Sequence, residues 1–276
     1  MNLFTVDPDK CNQDGICVDE CPIKIIDLKN KESVPVPVPV PGAEALCINC
    51  GHCVAVCPTG ALSHKNMTPA QCPLVKKEWF LDADRAEHFL RSRRSIRTYK
   101  KEAVDRDTLS KLIEIASYAP SGHNTQPVRW HVIYDSNELH RLTGMVADWM
   151  RFMIKEQPEM AEQMHMELVV AAWDDGVDVI CREAPHVVLA HGFQADMTAQ
   201  TACTIAMTYL ELAAPSLGLG TCWGGFFNAA AMFWPPLQAA LGLQEGHVCY
   251  GAMMVGYAKY KYHRMPLRNA PKVTWV

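Results

Sequence analysis

Cys47-Ile48-Asn49-Cys50-Gly51-His52-Cys53-Val54-Ala55-Val56-Cys57-Pro58 sets four cysteines at C-x2-C-x2-C-x3-C, with a proline after the last. Three thiolates of so tight a loop close on one face of an iron–sulfur cube, and the fourth points away from it. A run that sends its fourth ligand elsewhere calls for a second run, and the chain supplies one upstream. Cys11-Asn12-Gln13-Asp14-Gly15-Ile16-Cys17-Val18-Asp19-Glu20-Cys21-Pro22 has the same frame, with aspartate in the place of the second cysteine. A structural zinc site takes its ligands as two separated pairs, not as four in one run with a trailing proline. A disulfide framework would spread its cysteines, whereas seven of the twelve here sit in the two runs. The other five (Cys72, Cys181, Cys203, Cys222 and Cys249) read as ordinary buried thiols, and this usage points to a reducing compartment, the cytoplasm.

The two runs together resemble a bacterial-type two-cluster ferredoxin over roughly the first quarter of the chain. The resemblance implies that ligands cross between runs. Cys57 then joins Cys11, Asp14 and Cys17, while Cys21 joins Cys47, Cys50 and Cys53. It implies one 4Fe–4S cluster, and at the Asp14 site either 4Fe–4S or 3Fe–4S. Between the runs, prolines alternate from Val34 to Pro41. Alternating proline favours an extended polyproline II rod, which reads here as a stiff spacer.

Around this core, the composition of the 276 residues is that of a globular protein: 49% hydrophobic, 20% charged and a net charge of −4. That balance carries no nucleic-acid signal. The N-terminus lacks a basic segment followed by an apolar one, so no signal peptide is expected. Leu212 to Gln244 contains no charged residue, yet Pro215, Gly218, Gly220, Gly224, Gly225, Pro235 and Pro236 interrupt it. A spanning helix needs about 20 continuous apolar residues. The stretch therefore reads as buried interior around a cofactor, and no membrane association is expected.

Residues 1–64 form the first expected unit, residues 65–90 a linker ending in a helix, and residues 91–276 a second domain. The second domain opens on Arg91-Ser92-Arg93-Arg94-Ser95-Ile96-Arg97. In an extended segment, alternation puts Arg93, Ser95 and Arg97 on one face, where two guanidinium forks and a hydroxyl suit a phosphate. Asp107 to Ala119 reads as a helix with Asp107 as its N-cap. The polar loop Pro120-Ser121-Gly122-His123-Asn124-Thr125-Gln126-Pro127 stops it, and Trp130–Tyr134 is strand-like. Leu139–Val179 reads as helical and methionine-rich, Pro185–Ala190 as a short buried strand and Met197–Ala214 as a helix apolar nearly all round. Leu217–Gly225 contains Gly-x-Gly but follows a helix and lacks the third glycine of a dinucleotide fingerprint. Val248–Tyr257 closes the domain as a strand.

Arg93-x-Ser95-x-Arg97 and Pro120-Ser121-Gly122-x-Asn124-x-Gln126-Pro127 resemble the two flavin-binding openings of the FMN-dependent nitroreductase family. The resemblance covers residues 91–276 and implies an α+β fold, with a mixed sheet flanked by helices. It departs at Val128-Arg129-Trp130, where family members carry an aromatic directly after Gln-Pro. It implies a homodimer binding FMN through Arg93, Arg94, Ser95, Arg97, Pro120, Ser121, Gly122, Asn124 and Gln126. Gly224 and Gly225 would let the backbone approach the flavin ring. Arg264 would contact the phosphate, with Lys261 standing in for the family lysine whose place Tyr262 takes.

The expected chain is thus an iron–sulfur flavoprotein that passes electrons from two clusters to FMN. From there they reach a nitro, quinone or activated-alkene substrate. Electrons come from a ferredoxin-type donor or NAD(P)H. The alternatives are a carrier between redox partners, or a reductive dehalogenase or enoyl reductase on the same fold. No residue declares itself as the proton donor.

Overall fold

The computed structural model describes residues 2–31 and 34–276, with Lys31 and Val34 as backbone alone. The chain divides into two compact units. The first is Met1–Phe80 with His123–Thr125, and the second is Leu81–Gly122 with Gln126–Val276. Among the described residues no helix is long and apolar enough to cross a membrane.

The first unit is built from two repeats of a cysteine loop, a one-turn helix and a strand. Its elements are β1 (Phe4–Val6), α1 (Ile16–Asp19), β2 (Ile26–Lys31), β3 (Val34–Pro39), α2 (Ala43–Leu46), α3 (His52–Ala55) and β4 (Leu62–His64). β1 pairs antiparallel with β4, and β2 with β3. The expected proline rod is therefore a strand. The two conformations lie close together, and the register explains the choice. Val40 donates its N–H to the Ile25 carbonyl at 3.0 Å. In an antiparallel ladder, every second residue of β3 then bonds β2, and these are the valines. The prolines fall at the positions whose missing N–H would face outward. The open edge has no donors to offer a passing strand, which protects it from edge-to-edge pairing.

In the second unit, α4 (Ala83–Ser92) starts at Asp82, whose carboxylate accepts the Arg85 N–H at 2.8 Å. α5 (Arg106–Ala116) starts at Asp105 rather than Asp107, because Asp105 reaches the Thr108 N–H at 2.8 Å. β5 (Arg129–Ile133) follows, and then the methionine-rich region breaks into α6 (Ser136–Glu156), α7 (Pro158–Gln163) and α8 (Met166–Asp174). After these come β6 (His186–Phe193), α9 (Ala199–Ala213), β7 (Gly220–Trp223), α10 (Gly225–Phe233), α11 (Pro235–Leu241) and β8 (His247–Gly256).

One sheet, ordered β5-β6-β8-β7, runs through the unit. All its pairs are antiparallel, where a mixed sheet was expected, since each neighbour returns in the opposite direction. Both faces of β6 are buried, so Val187–Ala190 read as a continuous apolar run between two buried histidines, His186 and His191. Val187 and Leu189 pack into one core with Val146, Met150, Phe227 and Met254. Val188 and Ala190 face a second core with Leu112, Cys203, Met207 and Leu210. α9 is buried on one side only, where apolar burial all round was expected. Its outer threonines satisfy their hydroxyls on the helix itself, Thr204 on the Gln200 carbonyl and Thr208 on the Thr204 carbonyl, each at 3.0 Å.

The close packing of β7 carries a prediction. Ile96 donates its N–H to the Thr221 carbonyl at 2.8 Å, and a Cβ added to Gly220 would stand 2.6 Å from the Ile96 Cγ1. Gly220→Ala must push the Arg93–Arg97 segment off β7. We expect a loss of about 1–3 kcal/mol in denaturant unfolding, the usual range for an overpacked site.

Candidate functional sites

In the first unit each cysteine run turns on a glycine in the left-handed region, Gly15 at φ 71° and Gly51 at φ 76°. α1 and α3 start there, with Cys17 buried and Cys53 partly buried. Burial raises the Cys17 thiol above its ordinary range, and the charges of Cys57, Cys11 and Asp14 raise it further. Burial likewise pushes the Cys53 thiol up to about 11, with Cys50, Cys47 and Cys21 adding to it. Each thiol thus senses members of its own run and the last cysteine of the other. Burial would raise Cys57 as well, but the Thr59 hydroxyl and the Ala61 N–H (3.3 Å) on its sulfur bring it below the usual thiol value.

Cys21, Cys47, Cys50 and Cys53 line one cavity, walled by Leu3, Phe4, Ile23, Ile25 and Ile26. Thiolates gathered in such an apolar shell repel one another. Bound iron removes that conflict, because a thiol coordinating a metal is deprotonated outright. Soft sulfur donors also suit iron–sulfur clusters, so the residues fit the group. Among the described residues no three metal-ligating side chains converge as a single ion would need. Ligands spread around a cube stand farther apart than ligands around one ion. Asp14 is exposed, and its Oδ1 accepts the Ile16 N–H at 3.2 Å.

The second unit gathers the basic residues. A cleft of about 370 Å³ is lined by Arg93, Arg94, Glu211 and Lys261, among others. Pairing of the chain around it fixes this arrangement. Lys100 donates its N–H to the Tyr257 carbonyl (2.9 Å) and Lys259 donates to the Thr98 carbonyl (3.0 Å), which anchors the start of the C-terminal tail. Arg93 Nη1 donates to Glu211 Oε1 at 2.8 Å and reaches Ser95 Oγ at 3.4 Å. Arg94 Nη1 donates to the Arg91 carbonyl at 3.0 Å, while its Nε is buried with no partner among the described residues. A buried donor without a partner invites an acceptor, and the basic set fits a phosphate. Arg97 and Arg264 are exposed and do not line this cleft.

The loop 120–127 is held in costly backbone conformations. His123, Asn124 and Gln126 have φ of 50°, 53° and 47°. Ser121 Oγ accepts the Gln126 N–H at 2.9 Å, and a Cβ on Gly122 would stand 2.8 Å from the Thr198 Cγ2. Pro120 is exposed. The Asn124 amide donates to the carbonyls of Ile48 (3.3 Å) and Asn49 (3.0 Å), grouped with it in the first compact unit. A Cβ added at Gly224 or Gly225 would meet only ordinary contacts, at 3.5 Å and 3.9 Å. The chain's own packing therefore does not demand glycine at these two positions.

Glu211 was not singled out from the sequence. The signal was there: it is the one charged residue between Met197 and Ala214.

The sequence profile of the Nitroreductase family matches residues 90–257, and that of a 4Fe-4S dicluster domain matches residues 10–62. A protein of Archaeoglobus fulgidus, named for an NADH dehydrogenase/NAD(P)H nitroreductase, is 29% identical over 168 residues. The match spans 61% of this chain and 82% of that protein. Ferredoxin-1 of Nitratidesulfovibrio vulgaris is 52% identical over 31 residues, covering 11% of this chain and 50% of its own. The crystal structure of a nitroreductase with bound FMN from Bacteroides fragilis superposes with a TM-score of 0.56 at 22% identity. It covers 69% of this chain and 97% of its own, a likeness of fold.

Proposed function

The chain belongs to the nitroreductase family and carries a 4Fe-4S dicluster domain ahead of the family domain; from that premise we propose that it is an iron–sulfur flavoprotein oxidoreductase acting on a nitro, quinone or activated-alkene substrate. When bound, the clusters pass single electrons and FMN collects them and delivers a pair to substrate. The observation that carries the reading is the cavity that gathers Cys21 of the first run with Cys47, Cys50 and Cys53 of the second, the crossed ligand set that a two-cluster domain requires.

The residues take the following roles. Leu3, Phe4, Ile23, Ile25 and Ile26 keep water from the sulfurs of the second set. Arg93, Arg94 and Lys261 hold the FMN phosphate in their cleft, joined by Arg97 and Arg264 from the exposed segments beside it. Gly224 and Gly225 leave room for the flavin ring against the backbone. The second protomer of a homodimer covers the C-terminal tail, which carries Leu267 at 93% exposure and Trp275 at 91%. Apolar side chains so bare fit an arm that packs on a second copy.

A ferredoxin-type protein suits the N-terminal cluster domain as electron donor, and NAD(P)H, the cofactor in the name of the Archaeoglobus fulgidus relative, is the other candidate. Anaerobic stopped-flow mixing with NADH, NADPH and reduced ferredoxin in turn tests this. Flavin reduction is expected fastest with ferredoxin, followed by turnover of a nitroaromatic or quinone. Reoxidation by a second redox protein alone, with no small-molecule turnover, would make the chain a carrier instead.

Asp14 makes the two clusters unequal. A carboxylate oxygen is a harder donor than a thiolate and suits iron–sulfur ligation less well. The anaerobic protein is expected to hold 4Fe–4S at this site and to lose its Asp14-facing iron on mild oxidation, giving a 3Fe–4S EPR signal. Asp14→Cys should abolish that signal. Equal iron content and equal oxidised spectra in the two proteins would show that Asp14 only caps its turn.

A further inference from the structure

The first unit holds a buried histidine that the proposed function leaves idle. His64 ends β4, is 5% exposed and lines the same cavity as Cys21, Cys47, Cys50 and Cys53. Its two ring nitrogens have different partners. The Asn66 backbone N–H points at Nδ1 at 3.1 Å. A backbone N–H only donates, so Nδ1 is the bare nitrogen and the ring proton sits on Nε2. Nε2 lies 3.5 Å from Cys47 Sγ. The tautomer is thus fixed by the fold, and it aims an N–H at a sulfur. The turn that fixes it is itself tied to the cysteine run, because Asn66 Nδ2 donates to Asn49 Oδ1 at 2.8 Å.

The internal repeat supplies a comparison within the same molecule. His64 stands seven residues after Cys57; seven residues after Cys21 stands Leu28. Leu28 approaches the first cysteine run, since a Cβ added to Gly15 would lie 3.5 Å from its Cδ1. The two halves therefore place corresponding side chains against their runs, one a donor and the other a hydrocarbon.

We propose that His64 is a positioning residue that donates an Nε2–H···S hydrogen bond to Cys47, and that this bond raises the reduction potential of the second cluster. The inference rests on Cys21, Cys47, Cys50 and Cys53 holding a cluster. A hydrogen bond to a ligand sulfur withdraws negative charge from it. The reduced cluster carries one more electron than the oxidised one, so the bond favours the reduced form. No proton is transferred in the step. The ring stays neutral in both states, and Leu28 offers the first cluster nothing comparable.

The test uses the anaerobically reconstituted full chain. Iron and sulfide content comes first, and a wild type lacking the second cluster would overturn the ligand assignment and the proposal with it. With both clusters present, EPR-monitored potentiometry is run on wild type, His64→Leu and His64→Gln. At a fixed electrode potential, His64→Leu should show about a tenfold lower ratio of reduced to oxidised second cluster. For a one-electron couple that is about 59 mV. His64→Gln keeps an N–H donor at a similar reach and should restore most of the ratio, which a merely structural role would not require. Should His64→Leu fail to assemble, pulsed EPR on wild type with isotopically labelled histidine replaces it. Coupling of the label and of an exchangeable proton to the reduced second cluster is expected. An unchanged ratio in both variants, or no histidine coupling, overturns the proposal.

Discussion

Chelating the iron should unfold the N-terminal unit while the C-terminal unit stays folded. The apolar core of the first unit is small: Leu3, Phe4, Ile25, Ile26, Ala43, Val54 and Leu62, with Cys17 and Cys21 among them. Its sheets have two strands each, and an isolated two-stranded pair is marginal in water. Units of this size depend on staples, and metal binding that exists only in the folded state adds directly to folding. The second unit has no such dependence, because one sheet is packed on both faces by separate apolar cores. Hydrogen exchange after anaerobic chelation should show the amides of β1 and β4 losing protection to the level of an unfolded chain. Those of β6 and α9 should keep theirs. Loss of protection in both units together, or in neither, would contradict this account.

Arg93→Ala and Arg97→Ala should each weaken FMN binding by roughly 10- to 100-fold, since a hydrogen bond to a charged group contributes about 1.5–3 kcal/mol. The larger effect is expected at Arg93. Its partner Glu211 has a side chain only 18% exposed, and losing the arginine leaves that carboxylate unpaired beside the phosphate. Arg93→Ala combined with Glu211→Gln should therefore recover part of the loss. Arg93→Lys should not restore full affinity, because lysine has no planar fork with which to hold phosphate and carboxylate together. Titration of flavin fluorescence measures each constant, with iron content as the control for an intact first unit. Wild-type affinity in both alanine variants would remove these arginines from the site.

The cluster runs and the basic opening of the second unit were legible because their chemistry is local. Four thiols within eleven residues admit few other readings, and the cluster of arginines at 91–97 marks a basic segment, although the cleft takes Arg93 and Arg94 and leaves out Arg97, which alternation had set beside Arg93. Periodicity placed α5, β5, β6, α9 and β8 to within about three residues at each end, but it ran α6, α7 and α8 together and left β7, α10 and α11 unassigned in the glycine- and proline-broken apolar stretch. The proline segment was misread because polyproline II and β conformations are neighbours, and only the partner strand decides between them. The N-cap of α5 moved from Asp107 to Asp105 because both residues qualify by type, and only geometry selects the one that reaches Thr108. The Arg93–Glu211 pair joins residues 118 positions apart, a contact that no local pattern announces. His64 escaped as one histidine among eleven, although aligning the two repeats on their last cysteines sets it against Leu28.

The central claim is that the N-terminal clusters feed electrons to FMN bound by the same chain. Its most direct test is anaerobic rapid mixing of reduced ferredoxin with wild type and with Cys50→Ser, both loaded with FMN, following flavin absorbance. The account predicts equal FMN content in the two proteins, rapid flavin bleaching in wild type, and bleaching in Cys50→Ser no faster than that of free FMN. Bleaching of Cys50→Ser at the wild-type rate, with its second cluster shown to be missing, would contradict it.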